Sequence, residues 1–574
     1  MAILADTEGP PQELTGNGLT SKFYEVVQRF ESEETSEIRS VYDNCKRLAK
    51  AIKLQEVVKQ PLRTDIHDLV PSREVADQLV EAYLRTFESV FRVLHIPSFL
   101  REYNDSWNNP KSSSHEFVVK LLLVMAIGMV FLPERSKLRK CGSCPDQWIY
   151  TAQTWLSSPF EKNRINIPGI QIHCLLLLAR LANGVGGDLI WISAGSLLRT
   201  AMHVGLHVDP SRLDKMSIFD CIMRRRLWAT VLEIVVQSSV DAGGLPLVSM
   251  EDIDCELPSN VDDEQLEGEN LTEAPQPKPE GHYTRSSIQI ALMKSLPVRL
   301  EIARYMNDFR SELSYDKTLH LASRLSSFCR ANFELFQESE SQTVHCSAFQ
   351  VKFLDLLTYR FLLALHHPFA IRSKTDPTYY FSRKTSLEVS LSLLSHSFAH
   401  DSQLKDDDFT HVSLTGTGMF RDTPIQSACM ICDELIYQIE EGKSSFIPKS
   451  VSFPRGDLRQ IVEKCIRYLD LRIKNGETNI RGHVFFSCLV GQIDAMHAGT
   501  SVQEAISEAL RGSLDNCYQI LRTRADEIGL GSPSEGDMVA TAGSMQEDIA
   551  GAEGVQDWWF MDEMADGSFL QDFI

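Results

Sequence analysis

Two Cys-x-x-Cys pairs, Cys141 with Cys144 and Cys429 with Cys432, are the residues of this chain best spaced for metal or redox chemistry. Four thiolates can close a tetrahedral zinc site, and a single pair beside a βαβ unit can run disulfide exchange. Cys429 and Cys432 fall among Ile425, Met430, Ile431 and Leu435 on a helical pattern, where buried thiols are ordinary packing. Cys141 and Cys144 stand in a loop before Pro145 with no βαβ context. Both pairs therefore read as structural. His203 and His207, four apart, could share one helix face as metal ligands, yet no Glu follows His203 as a zincin requires. His366 and His367, before Pro368, read as packing residues in the same way.

No catalytic constellation emerges. The chain has no GxSxG elbow, no phosphate-binding P-loop, no GxGxxG after a strand and no HExxH. Paired carboxylates gather in acidic loops, where nothing would raise one pKa for general-acid work. The glycines at 184, 186 and 187 lack the lysine and preceding strand of a phosphate loop. No catalytic, cofactor-binding or metal residue is assigned. The triplet Arg224, Arg225 and Arg226 could serve nuclear import or phosphate contact. It opens an apolar helix through Leu227, Trp228, Val231, Leu232 and Val235, so at least one arginine is expected to face an internal carboxylate. Arg135, Lys137, Arg139 and Lys140 read as a solvated face.

The elements that would position these residues are helical almost throughout. Apolar positions recur at spacings of three and four in residues 115–132, 147–157, 169–183, 187–205 and 217–240, and again from 285 to about 524. Sustained period-two alternation is missing, so the fold class is all-α, with packed antiparallel helices. Ile38, Val41, Cys45, Leu48 and Ile52 form a coiled-coil-like stripe. Two heptads favour docking on the protein's own core over dimerisation. The longest apolar run, residues 117–132, is broken by Lys120 and stops at Pro133, short of the roughly 18 residues a bilayer span needs. The acidic amino terminus does not resemble a secretory signal, and thirteen scattered cysteines suit a reducing compartment.

The net charge of −21 is unevenly placed. Residues 250–280 hold eleven acids against Lys278 alone, and residues 525–574 hold twelve acids with no lysine or arginine. The rest of the chain is close to neutral, so no strongly basic surface for a phosphate backbone is expected. The segments are therefore residues 1–60 with one amphipathic helix, 61–257 as a first helical part, 258–282 as an exposed acidic Pro/Gly-rich loop, 283–524 as the remaining helices, and 525–574 as an acidic aromatic tail.

Five blocks resemble the regulatory "middle homology" domain of fungal zinc-cluster transcription factors. FRVLHIPSF at 91–99, with His95, Pro97 and Phe99, looks like the opening signature, a helix end followed by a His-x-Pro-Ser-Phe turn. WISAGSLLRTAMHVGLHVDPS at 191–211, with Trp191, Gly205, Leu206, His207, Asp209 and Pro210, resembles the most recognisable segment. Val208 stands where relatives often carry Arg. Arg224, Arg225, Arg226 and Trp228, then Pro246, Asp252 and Asp254, resemble a helix opening and a downstream acidic turn. LHHPFA at 365–370 and YYFSRKTSL at 379–387 resemble later landmarks. The resemblance spans roughly residues 70–400. It implies a structural role for these residues.

The zinc-cluster DNA reader of that family needs six cysteines in a repeated C-x2-C-x6-C pattern. Here the first cysteine is Cys45 and the next is Cys141. Two readings stand: a regulator without its own reader, or a sequence truncated upstream, with the acidic start favouring the first. In the tail, Trp558, Trp559 and Phe560, then Phe569 and Phe573, alternate with acids. Acids keep such aromatics solvated and ready to dock in a coactivator groove. A terminal helix packing back on the body is the other reading, and the two could alternate. The resemblance implies a nuclear transcription regulator with no enzymatic activity, governing a metabolic or biosynthetic gene set. Expected partners are the transcription machinery or a coactivator, a DNA-bound partner regulator and a small-molecule effector, with no membrane. The rival readings are a metabolite-binding or scaffold protein, or an enzyme, of a secondary-metabolism cluster.

Overall fold

The computed structural model describes residues 37–58, 65–108, 113–132, 144–158, 161–213, 216–267, 274–279, 281–308, 313–339, 345–398, 407–444 and 455–530. Among the described residues every regular element is a helix, so the fold is all-α. In chain order the helices are α1 (Glu37–Val58), α2 (Arg73–Arg85), α3 (Glu88–Phe91), α4 (Ile96–Asn108), α5 (His115–Gly128) and α6 (Pro145–Ser157). There follow α7 (Ile167–Asn183), α8 (Ile190–His203), α9 (Ile218–Asp241), α10 (Ser287–Met306), α11 (Tyr315–Ser339) and α12 (Ala348–Arg372). The last are α13 (Tyr380–Ser397), α14 (Asp408–Thr415), α15 (Met419–Ser444), α16 (Arg455–Lys474), α17 (Arg481–Ala498) and α18 (Val502–Glu527).

The chain forms two compact units, Leu62–Pro424 and a smaller one that combines Met1–Pro61 with Ile425–Ile574. Both helical parts, on either side of residues 258–282, contribute to the larger unit. The border falls inside α15, at Pro424, and the amino-terminal helix belongs to the smaller unit.

In the larger unit α5 is buried on every side from Phe117 to Gly128, and with only Lys120 charged in that stretch the helix must be enclosed. Ser114 caps it by accepting from the Phe117 N–H at 3.1 Å, and α2, α6 and α7 surround it. Gly128 permits the closest approach: a Cβ there would stand 2.0 Å from the Leu79 carbonyl oxygen on α2. Asn166 caps α7 through the Gly169 N–H at 2.8 Å, and Gly184, at φ 69°, ends it in the left-handed conformation that glycine adopts freely. A tight connection then leads into α8. α9 packs against α7, α8 and α10, while α12 lies between α10, α11 and α13. Phe87, Phe91, Phe349, Phe353, Phe409 and Phe420 form an aromatic centre, with the Phe353 and Phe420 rings 5.3 Å apart.

The smaller unit consumes the amino-terminal stripe. Ile38, Cys45, Leu48 and Ile52 are buried, and α1 packs on α18. Cys432 of α15, Cys465 of α16 and Cys517 of α18 are also buried, and burial pushes the Cys429 thiol up to about 12. Such thiols pack as small apolar groups. Cys141 lies outside the described residues, as do the basic residues at 135–140 and the tail aromatics Trp558, Trp559, Phe560, Phe569 and Phe573.

Candidate functional site

The site begins with a helix that stops early. α3 makes a single turn and ends at Arg92, whose φ of 53° is the only positive value of a non-glycine residue among the described residues. Holding an arginine there costs about 1 kcal/mol or more, so the surroundings must over-determine it. The left-handed bend turns the Arg92 side chain inward, where it is fully buried. Its Nη2 donates to Asp263 Oδ1, and its Nη1 lies 3.8 Å from Glu88 Oε1. Arg226, from the third turn of α9, is equally buried and donates to the same Oδ1 at 2.5 Å. The Ile96 N–H, at the start of α4, donates to Asp263 Oδ2 at 2.9 Å.

Two cations and an amide thus converge on one carboxylate. Burial alone would raise the Asp263 pKa, but Arg92 and Arg226 outweigh it and hold the carboxyl below its ordinary range. Glu88 has the opposite outcome. Burial dominates over Arg92 and over the Tyr83 hydroxyl that donates to Oε2 at 2.7 Å, and the Glu88 pKa rises to about 7. His95 Nε2 is 3.2 Å from the Asp263 carbonyl and must donate to it, because a carbonyl only accepts. Nδ1 then accepts from Ser98 Oγ at 2.8 Å, and burial lowers the pKa of the ring.

This corrects the expectation of exposure for residues 258–267, while residues 274–279 are exposed or half-buried as expected. The acidic segment carries Val261, Asp262, Asp263 and Leu266 in buried positions rather than running exposed. Asp262 accepts from Lys278 Nζ at 2.7 Å and from the Arg285 N–H at 2.9 Å. Asn260 ties the two ends of the segment together through the Lys278 and His282 carbonyls. Composition overstated the exposure because each buried acid finds a specific cationic or amide partner.

The family-like blocks meet in a second junction. Asp209 accepts from Arg225 Nε at 2.9 Å and Nη2 at 2.8 Å, from the Ser211 N–H at 2.9 Å and from the Glu256 N–H at 3.0 Å. Burial opposes ionisation, yet these donors, led by Arg225, hold the carboxyl well below the usual carboxylate range. Arg224 donates to the Val204 carbonyl at 2.9 Å, beside Gly205 in its left-handed turn. The His207 carbonyl accepts from the Asp254 N–H at 3.1 Å, and the His207 and Trp228 rings lie 6.4 Å apart. Leu206 and Pro210 are buried under this turn. Asp252 closes its own turn on the Ser249 N–H at 2.8 Å. Trp191 covers Gly244, where a Cβ would approach the indole to 2.6 Å, next to buried Pro246. Pro97 lies in the first turn of α4 rather than in a free turn, and the Phe99 ring lies tilted to that of Phe117 at 5.8 Å. Arg224, Arg225 and Arg226 likewise sit in the second and third turns of a helix that opens at Ile218.

Two constellations escaped the sequence reading. Glu233 and Arg299 form a buried bidentate pair at 2.7 and 2.8 Å, extended by Gln237, Arg360 and Asp241. Each stands alone in an apolar helical pattern, and that isolation was the available signal. In the smaller unit Ser513 Oγ, His483 and Asp470 align, with Ser513 2.7 Å from Nδ1 and Asp470 3.0 Å from Nε2. Ser513 is only 4% exposed on a helix whose amides are engaged, so this trio fastens α16, α17 and α18 together. Among the described residues no group of three or more His, Cys, Asp or Glu could hold a metal ion.

Fold and site together define an all-helical domain fastened by buried arginine–carboxylate contacts. Residues 80–328 match the fungal specific transcription factor domain. Transcription factor opdR of Penicillium oxalicum is 36% identical over 539 residues, covering 88% of this chain and 67% of opdR. Transcription factor lepE of Aspergillus flavus is 33% identical, covering 94% of this chain and 66% of lepE. The aspyridones cluster regulator apdR of Emericella nidulans is 31% identical, covering 73% of this chain and 57% of apdR. The chain belongs to the family of fungal transcription factors that carry this domain, and it spans about two thirds of the length of the first two relatives. No solved structure matches it.

Proposed function

We propose that this fungal transcription regulator acts in the nucleus on a metabolic or biosynthetic gene set and catalyses no reaction itself. The observation that carries the reading is the similarity over most of the chain to proteins named as transcription factors, one of them the regulator of the aspyridones cluster. The arginine–carboxylate junctions support it, since they join the first three family-like blocks into one body. The 574 residues contain no six-cysteine zinc cluster. DNA is therefore reached through a DNA-bound partner or through a reader outside this chain. The helical domain restrains or exposes the acidic segment 525–574 in response to a metabolite or protein, and Trp558, Trp559, Phe560, Phe569 and Phe573 contact a coactivator.

The test is a reporter assay with residues 525–574 fused to a foreign DNA-binding domain, beside a Trp558/Trp559/Phe560→Ala version. Activation by the wild-type segment and its loss in the alanine version support the reading. Silence of both removes the activating role of the segment.

A further inference from the structure

The Asp263 site holds more donors than its occupant uses. Arg92 and Arg226 are fully buried, yet Nε and Nη1 of Arg92 and Nε of Arg226 have no hydrogen-bond partner among the described residues. Leaving such groups unmet in a low-dielectric interior is costly. Next to the charges, Val261 and Leu266 of the same segment join Ile222 in a small apolar cluster, with Ile218 and Phe219 packed against it. The Phe219 ring in turn meets His95 at 4.9 Å. The segment therefore presents a carboxylate flanked by apolar groups to a surface of two guanidinium groups and an apolar patch.

Two of the contacts that hold the segment from its outer side are weak. The Arg285–Glu264 pair is 3.2 Å long with side chains 42% and 58% exposed, and the Lys278–Asp262 pair is partly exposed. Solvent screens such an exposed pair, so it contributes little. The Asp263 attachment is the one that a free carboxylate can imitate, and lifting the segment also releases the Val261 carbonyl, which accepts from Arg226 Nη2 at 3.0 Å and from Ser286 Oγ at 3.1 Å.

We propose that the Arg92–Arg226 pair is a carboxylate-binding site, and that a free organic acid with an apolar body binds there in place of Asp263 and lifts the segment 258–267. The exchange swaps one carboxylate for another, with no covalent bond made or broken. The acid's apolar body covers Ile218, Phe219 and Ile222 where Val261 and Leu266 had been. Because Arg226 lies on α9 beside Arg225 and its partner Asp209, the same helix carries both junctions. As an effector mechanism this rests on the reading of the chain as a regulator; as a binding site it does not.

The probe is octanoate, compared with octanol and with sodium chloride at matched ionic strength, on the purified full chain. Asp263 is tethered and so competes at an effective concentration on the order of millimolar. Hydrogen exchange of residues 258–267 in the wild type should accelerate with octanoate and not with octanol. The Asp263→Ala variant should gain thermal stability with octanoate, at a concentration at least about tenfold below that which opens the wild type. Adding Arg226→Met to that variant should abolish the gain. Equal effects of octanol and octanoate, or a response that survives Arg226→Met, would overturn the site. Should Asp263→Ala fail to fold, the wild-type exchange decides alone: unchanged protection of 258–267 at saturating octanoate rejects the proposal. Both measurements use purified protein, so the reporter assay on the tail succeeds or fails independently.

Discussion

Arg226 Nη1 donates to Asp263 Oδ1 at 2.5 Å, although the two residues are 37 positions apart and both are completely buried. Arg92 reaches the same oxygen from 171 positions away. One carboxylate thereby joins α3, α9 and the acidic segment. Removing it strands two cations in the interior.

Asp263→Asn should accordingly destabilise the larger unit by about 3–5 kcal/mol, the range for breaking a buried ion pair from one side. The amide can still accept hydrogen bonds but no longer carries the charge. Urea denaturation followed by tryptophan fluorescence measures the change, and a loss below about 1 kcal/mol would show the carboxylate to be expendable.

Glu88 makes stability depend on pH. Burial raises its pKa from 4.5 in the ordinary state to about 7 in the fold. Between those values the folded protein retains a proton that the unfolded chain has released. Stability therefore falls as pH rises through this window, by about 1.4 kcal/mol per pH unit from this group. Below the window both states are protonated and the contribution is complete. In Glu88→Gln the difference between urea midpoints at about pH 5 and about pH 7 should shrink; an unchanged difference refutes the assignment.

Two helical glycines should respond with opposite signs. Gly128→Ala forces a methyl to within 2.0 Å of the Leu79 carbonyl oxygen. The helix gains about 1 kcal/mol in propensity, but separating two packed backbones costs more, and the melting temperature should fall. Gly512 on α18 has nothing within 4 Å of its would-be Cβ. Gly512→Ala should stabilise the smaller unit by about 0.5–1 kcal/mol. Calorimetry reads both.

Glu233 and Arg299 offer a double-mutant comparison. Arg299→Met leaves the Glu233 carboxylate buried without its bidentate donor and should cost about 3–5 kcal/mol. Adding Glu233→Leu removes the stranded charge and should restore much of that loss. An additive double variant would mean that the two side chains act independently.

The sequence by itself determined the helical class, the blocks of family resemblance and the burial of the α1 stripe, because helix periodicity is written in neighbours three and four residues apart. It also marked at least one of Arg224, Arg225 and Arg226 as facing an internal carboxylate, since charges amid an apolar run need a partner. Which partner was beyond it: Arg225 takes Asp209 and Arg226 takes Asp263, each approached through a turn of the chain. The acidic segment read as exposed because hydration is the default for acids in a Pro/Gly-rich stretch. Only the tertiary structure decided that Asp263 is buried. Desolvating a carboxylate is costly until two guanidinium groups and an amide converge on it, and here three separate parts of the chain must fold before they can. The helices were therefore legible from local pattern, while the charged site that joins them exists only as a product of long-range packing.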